Sequence, residues 1–425
     1  MKRSTTTMRL AAVAAASALV LAACGSDSDD DAGSDDSSAA STADGVLTVG
    51  TLLPQTGSLS FLGPPEFAGV DLAVEEINAA GGVLGEDVVH VRGDSGDADS
   101  GIAPAETDQL LDAGSDVIVG AASSGVSLTV IDKIMSAGAI MFSPANTSTA
   151  FDEGDFAEPD LYFRTAPSDI LQGAVLSNLL IQDGRQNIAI LARQDAYGET
   201  LAEEIGKGVE AAGSTVATTT FYGETAQSFD SQVAEIANSS PDAVVLVAFE
   251  ETTTIVPQLI QAGVGPQDVP TYFVDGNTAG YGAGDSATLP DGTLEGTKGT
   301  IPGAEAAGDF QDRLLGVDPS LTNFSYAGES YDAVIVTALA AIAADSDAGR
   351  DVAEEIVEVT TGGEKCTTFA DCVELLEAGE DIDYDGVSGP IELGDTGSPT
   401  AASIGIYQYD ALNKISAIDY IAGNI

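Results

Sequence analysis

Apolar and polar positions follow two periodicities along most of this chain. The β-rich run Val46–Leu53 is stopped by Pro54, and Glu66–Ala80 then carries apolar residues at helical spacing up to a glycine pair at 81 and 82. Strand-like segments recur at Val88–Val91, Val117–Val119, Ala139–Phe142, Ile188–Leu191, Val216–Phe221, Val244–Val247 and Tyr272–Val274. Helix-length segments separate them, which predicts two successive α/β arrays with mostly parallel sheets. Helical sequence follows from about Ala304 to Leu376.

The parallel sheets indicate where a ligand would bind. In open α/β sheets, ligands occupy the crevice beyond the carboxyl ends of the strands. The loops of interest are therefore those that follow Val119, Phe142, Leu191, Val247 and Val274.

The N-terminus has the pattern of an export signal. Basic residues precede the apolar run Leu10–Ala23, which is shorter than the ~20 residues of a membrane span. The small residues before Cys24 resemble a bacterial lipoprotein box, in which Cys24 would be acylated. An ordinary signal peptide with a spare cysteine is the alternative. We therefore expect a signal peptide over 1–23 and a protein held on the outer face of the cell membrane by lipid.

Residues 24–45 are almost all Ser, Asp, Ala, Gly and Thr, which predicts a disordered acidic tether. The remaining ~380 residues exceed the usual ~100–200 residues of one domain, so two lobes are expected.

With 68 acidic against 14 basic residues, the net charge of −54 makes nucleic acid an improbable partner. Cys366 and Cys372 are expected to form a disulfide, because their spacing lacks the companion ligands of a zinc site.

Several motifs, taken in order, resemble the branched-chain amino-acid receptors of ABC importers, a subset of type I periplasmic binding proteins. They are Leu53-Pro54-x-Thr56-Gly57, Ala73-Val74-Glu75-Glu76-Ile77-Asn78-Ala79-Ala80-Gly81-Gly82, Ser123-Ser124-Gly125, Ser143-Pro144-Ala145, Phe163-Arg164-Thr165-Ala166-Pro167-Ser168-Asp169 and Ala196-Tyr197-Gly198. The resemblance implies two Rossmann-like lobes joined by three crossovers near residues 166, 300 and 401. Lobe 1 would comprise 46–166 plus 300–400, and lobe 2 would comprise 167–299 plus 401–425.

The resemblance also implies a ligand site. Ser124, Ala145 and Thr147 match the groups that receive the carboxylate of an amino acid, while Asp169 and Asp275 match acids that hold its ammonium. Tyr197 matches a tyrosine that closes the site, and Leu62 and Phe249 occupy positions that face the variable part of the ligand. Each of Ser124, Thr147 and Asp169 also has a simpler interpretation as a helix cap.

Other chemistry finds little support in the sequence. His90 is the single histidine and has no Cys–His partnership, so the usual nucleophilic triads find no support. We therefore expect that the protein is not an enzyme and that it uses no cofactor. Asp381, Asp383, Asp385 and Glu392 fit the spacing of an EF-hand calcium loop, but Pro390 and a strand-like stretch replace its exiting helix. Calcium is therefore a weak candidate and no metal site is expected.

The resemblance implies a monomeric solute-binding lipoprotein that carries an amino acid, branched-chain or otherwise aliphatic, to an ABC permease. A receptor for urea, a short amide or an aromatic acid on the same scaffold is the first alternative. A ligand-sensing domain of a signalling system is the second.

Overall fold

The computed structural model describes residues 43–154, 160–285, 288–306 and 308–425. The expected signal peptide, Cys24 and the tether up to residue 42 lie outside the described residues.

The first predicted array is a five-stranded parallel sheet with the order β2-β1-β3-β4-β5. Helices cover both of its faces, and we call this unit the first lobe. Its helix α1 begins with prolines in the first turn and ends at Gly81, whose φ of 117° closes the helix in the left-handed region. The elements are β1 (Thr48–Leu53), α1 (Gly63–Ala80), β2 (Val89–Asp94), α2 (Ile102–Asp112), β3 (Val117–Gly120), α3 (Ser124–Ser136), β4 (Ile140–Ser143) and β5 (Tyr162–Arg164).

The second array forms a seven-stranded sheet with the order β15-β14-β10-β9-β8-β6-β7, which we call, with its helices, the second lobe. Strand β14 pairs antiparallel with both β10 and β15, whereas the other strands of the sheet pair in parallel. Strand β8 is buried along its whole length, as its unbroken apolar sequence predicts for a strand covered on both faces. The elements are α4 (Asp169–Gln182), β6 (Asn187–Arg193), α5 (Ala196–Ala211), β7 (Thr215–Tyr222), α6 (Asp230–Ser239), β8 (Ala243–Val247), α7 (Thr252–Gln261), β9 (Thr271–Phe273), β10 (Lys298–Pro302), β14 (Ala401–Tyr409) and β15 (Ile415–Asn424).

The chain between β10 and β14 returns to the first lobe and completes its core. It also forms a small sheet with the order β11-β12-β13. Helix α9 is long and apolar enough to cross a membrane, yet 78% of it is buried, because it packs against α1 as a core helix. The elements are α8 (Gly308–Val317), α9 (Ala327–Ala344), α10 (Gly349–Ile356), β11 (Glu364–Cys366), α11 (Phe369–Ala378), β12 (Ile382–Gly386) and β13 (Gly389–Pro390).

The chain passes between the lobes three times, between β5 and α4, after β10, and before β14. Thr300 lies within β10, so the second passage follows Pro302. Cys366 and Cys372 are joined by a disulfide that ties β11 to the start of α11.

Candidate functional site

The carboxyl end of β3 delivers the chain into the N-terminus of α3 at the centre of the interlobe cleft. Ser123 is the N-cap of α3, and its hydroxyl accepts a hydrogen bond from the amide of Val126 (3.4 Å). Ser124 is buried, and its Oγ accepts from the amide of Ser148 (3.4 Å). A helix N-terminus presents free amides and a positive dipole end, which suit an anion. This end of the cleft can therefore seat a carboxylate.

The loop after β4 is held against this helix entrance by side-chain hydrogen bonds. The Asn146 amide donates to the carbonyl oxygens of Ala121 and Ala122 (3.0 Å each), and the Ser143 hydroxyl donates to Ala121 (2.7 Å). Next in the loop, Thr147 is buried and its Oγ1 has no hydrogen-bond partner. A buried hydroxyl without a partner costs free energy, so Thr147 is available to a ligand.

A buried arginine fixes the position of Thr147. Arg164 is fully buried, and its guanidinium donates to the carbonyl oxygens of Asn146 (3.2 Å) and Ser148 (2.9 Å), on either side of Thr147. The same guanidinium pairs with Asp152 (2.6 Å). The loop therefore presents its hydroxyl from a rigid frame.

Asp169 is the first residue of α4 and is completely buried. Its Oδ2 accepts a hydrogen bond from Thr200 (2.9 Å), whereas its Oδ1 has no partner. Burial, together with the charge of Asp275, raises the pKa of Asp169 to about 8, although the neighbouring hydroxyls of Thr147 and Thr200 oppose the shift. An ammonium group placed at Oδ1 would supply the missing partner and favour the ionised carboxylate.

The helix-cap interpretation does not describe these residues. The capping hydroxyls belong to Ser123 and Ser148, one residue away from Ser124 and Thr147. Asp169 follows the N-cap of α4 and bonds to Thr200 of α5 instead of to its own helix.

Asp275 lies in a short 3-10 turn after β9 and already accepts three hydrogen bonds from side chains. Its Oδ1 accepts from Gln172 (3.0 Å) and from the Tyr197 hydroxyl (2.6 Å), and its Oδ2 accepts from the Tyr326 hydroxyl (2.8 Å). Burial raises the pKa of Asp275, and these three donors oppose the shift. To hold an ammonium as the resemblance implies, Asp275 would accept a further hydrogen bond at Oδ2, which has a single donor, the Tyr326 hydroxyl.

Phe249 and Tyr197 form an aromatic wall of the cleft. Their rings stack with centroids 5.5 Å apart, and the Arg193 guanidinium lies 3.7 Å from the centroid of Phe249. Arg193 also pairs with Asp195 (2.5 Å) and Glu251 (2.7 Å). A buried cation therefore supports the wall through a cation–π contact while two carboxylates neutralise it.

These groups surround a cavity of about 10 Å³ between the lobes, which is room for about one water molecule. Six of the eight predicted site residues line it, and Thr147 and Asp169 lie buried beside it. Leu59 and Tyr326 also line the cavity, although no sequence motif pointed to them. The lining comprises Leu59, Leu62, Ala122, Ser123, Ser124, Ala145, Tyr197, Phe249, Asp275, Gly276 and Tyr326.

Hydrogen bonds join the two lobes across the cleft. The Ser148 hydroxyl donates to the carbonyl of Ala196 (2.9 Å), and Tyr326 of the first lobe donates to Asp275 of the second (2.8 Å). The lobes are therefore in contact on two sides of the cavity, which is the arrangement of a closed cleft.

The acidic stretch considered for calcium lies in and around strand β12. Lys365 pairs with both Asp383 (3.0 Å) and Asp385 (2.9 Å). Within the described ranges, no group of three or more His, Cys, Asp or Glu side chains is placed to hold a metal ion. His90 likewise lies in a strand, where its Nδ1 contacts Asp71 (3.0 Å).

A family model and curated relatives both match most of this chain. A family model described as "Periplasmic binding protein" matches residues 46–413. The chain is 27% identical over 358 residues to the chemotactic signal transduction system substrate-binding protein BasB of Halobacterium salinarum, covering 82% of this chain and 83% of that one. It is 29% identical over 298 residues to Leu/Ile/Val-binding protein homolog 2 of Brucella abortus, covering 66% and 76%.

Solved structures share the architecture. The leucine-binding protein LivK of Thermotoga maritima superposes with a TM-score of 0.68 at 20% identity, covering 88% of this chain and 98% of that one. A solute-binding protein from R. palustris in complex with benzoate gives a TM-score of 0.69 at 17% identity, covering 90% and 98%. These likenesses confirm the predicted two-lobed α/β fold with mostly parallel sheets.

Proposed function

Because the chain belongs to the periplasmic binding protein family, we propose that it is the solute-binding component of an ABC importer and that it binds an amino acid between its lobes. The family is one of binding proteins and not of enzymes. The relative from Brucella abortus is a Leu/Ile/Val-binding protein homolog, which supports an aliphatic amino acid as the ligand here.

The observation that carries this proposal is a pair of buried polar atoms without partners, Thr147 Oγ1 and Asp169 Oδ1, at one cleft. In our proposal the α-carboxylate binds at Ser124, Ala145 and Thr147 beside the N-terminus of α3. The α-ammonium then pairs with Asp169 Oδ1. A free amino acid carries both charges on one carbon, so a single molecule satisfies both ends of the site.

The apolar part of the lining receives the side chain of the ligand. Leu62 and Phe249, which the resemblance implies would face the variable part of the ligand, are joined there by Leu59. One methylene in such a pocket changes affinity by only ~1–3 kcal/mol, so these residues set preferences among aliphatic side chains.

Isothermal titration calorimetry tests the ligand class. Leucine and valine should bind, while urea and acetamide, which lack the paired charges, should give no heat. Binding heat from the non-zwitterions alone would contradict the proposal. Asp169→Asn tests the proposed ammonium contact, because it keeps the shape of the side chain while removing its charge. It should weaken the binding of leucine and valine.

An aromatic acid is the second candidate, and one feature favours it. With its pKa raised to about 8, Asp169 is mostly neutral at pH 7, which suits a ligand without an ammonium. Three aromatic rings, those of Tyr197, Phe249 and Tyr326, line the cavity. The R. palustris protein of similar fold was solved with benzoate. Heat from benzoate in the absence of heat from leucine would assign this class.

Membrane attachment and the downstream partner belong to the same proposal. We propose that acylated Cys24 anchors the protein to the outer face of the cell membrane, where the closed form meets a permease. Cys24→Ser should then release the protein from the membrane fraction into the medium. The chemotactic role named for BasB is the competing use of a ligand-bound receptor. Deleting the gene should abolish amino-acid uptake if the protein serves a permease. It should abolish taxis alone if the protein serves a chemotaxis system.

A further inference from the structure

Tyr326 forms a wall shared by two spaces. Its ring lines the ligand cavity and also a larger space of about 310 Å³ that opens to solvent. The larger space lies between the start of α9 and strands β14 and β15, where Tyr407 and Tyr420 line it. Tyr326 therefore separates the cavity of the proposed amino-acid site from a second compartment.

A buried carboxyl group faces this compartment. Glu329, in the first turn of α9, lines it and is only 5% exposed. Its carboxylate lies so close to the backbone of Gly303 that a Cβ at residue 303 would be 2.4 Å from Oε1. In the part of the chain that the structure describes, no basic side chain pairs with Glu329. Burial raises the pKa of Glu329 to about 8.

A second carboxyl group lies nearby. Glu66, in the first turn of α1, is fully buried, and neither of its carboxylate oxygens has a hydrogen-bond partner. Burial raises the pKa of Glu66, and the charge of Glu329 adds to the shift, because the two carboxyl groups are neighbours. Buried carboxylates are costly unless a cation or a donor compensates them, so this pair is suited to an incoming positive charge.

The wall itself is held in a strained conformation. Tyr326 has a φ of 60°, in the left-handed region that bulky residues rarely occupy. Such strain costs ~1–3 kcal/mol and is typical of functional sites. In this position the ring is fixed by the hydrogen bond from its hydroxyl to Asp275. The Tyr326 side chain therefore stands between the two spaces that it lines.

We infer that the amino-acid site continues past Tyr326 and accepts an amino acid whose side chain ends in a second cationic group, with Glu329 as its counter-charge and Glu66 as a buried acid beside Glu329. This rests on the proposed function, because the seat beside α3 holds the α-carboxylate and Asp169 holds the α-ammonium. Lysine is a ligand of this class, with an ammonium on a four-carbon stem. The tyrosine rings add cation–π attraction.

The test compares lysine with norleucine, which has an uncharged side chain of similar reach. Calorimetry on the wild-type protein should show binding of both. Glu329→Gln should weaken lysine binding roughly 10- to 100-fold, as expected for loss of a charged hydrogen bond, and change norleucine binding less than about threefold. Glu305→Gln, at an exposed acid of the same compartment, is the matched control and should leave both affinities within about threefold.

Each outcome decides the matter. Lysine that fails to displace norleucine from the wild-type protein overturns the inference and leaves the proposed function intact. Equal losses for both ligands in Glu329→Gln also overturn it, because they indicate a general structural defect. If leucine also fails to bind the wild-type protein, the proposed function fails as well.

Discussion

The pH dependence of ligand affinity provides a sharp test of the role of Asp169. The α-ammonium of an amino acid pairs with the ionised carboxylate, but burial raises the pKa of Asp169 to about 8 in the ligand-free protein. Binding must therefore ionise a side chain that is mostly protonated at neutral pH. Affinity should rise with pH up to about 8 and level off above it.

The magnitude follows from the pKa. At pH 7 a carboxyl with a pKa of 8 is ionised in about one molecule in ten, and at pH 6 in about one in a hundred. Each pH unit below 8 should thus weaken leucine binding about tenfold, or by about 1.4 kcal/mol. Asp169→Asn cannot ionise, so it should lose this slope. At pH 8.5 it should also lose the ~1.5–3 kcal/mol of a charged hydrogen bond.

The assay is calorimetric titration of leucine at half-unit steps from pH 5.5 to 8.5, with the wild type and two variants. Asp291→Asn, at an exposed residue outside the cavity lining, controls for the change in net charge and should keep the wild-type slope. A flat wild-type profile, or an equal slope in Asp169→Asn, would refute the assignment of the ammonium to Asp169.

Three further predictions follow from buried groups. Asp169→Asn should raise the melting temperature of the ligand-free protein at pH 7.5 more than at pH 5. The folded-state pKa lies above the ~3.9 of an unfolded aspartate, so the wild type loses stability as pH rises between them, and equal shifts would be inconsistent with this linkage. Tyr326→Phe removes a hydrogen bond across the cleft to Asp275 and should weaken leucine binding about tenfold by calorimetry; unchanged affinity would show that the contact does not favour closure. Replacing Cys366 and Cys372 with alanine opens a short loop and should lower the free energy of unfolding by about 2 kcal/mol in urea titrations, whereas no change would indicate that the thiols are reduced in solution.

The strand pattern and the loop motifs were sufficient to predict the fold and most of the cavity lining. Short apolar strands mark a covered parallel sheet, and their carboxyl ends converge on one edge, so topology predicted the loops that line the cavity. The family resemblance then implied Ser124, Ala145 and Asp275 within those loops. Tyr326 could not be predicted in this way, because it precedes a helix that follows no strand of either sheet. Only the closure of the lobes brings Tyr326 to Asp275.

The sequence also did not predict which side chains form which hydrogen bonds. The capping interpretation assigned to Ser124 a role that Ser123, one residue earlier, performs, because a shift of one position changes which hydroxyl reaches the helix amides. The expectation of two aspartates at the ligand's ammonium did not anticipate that Gln172 and two tyrosines already donate to Asp275. Which donors reach Asp275 depends on distances between residues far apart in the chain, and the sequence pattern does not contain these distances.

The most direct measurement is a crystal structure of the protein with leucine. Our account predicts one leucine between the lobes, with its carboxylate within hydrogen-bond distance of Ser124 and Thr147 and its ammonium on Asp169 Oδ1. A leucine bound elsewhere, or one that leaves Thr147 and Asp169 without a shared ligand, would contradict it.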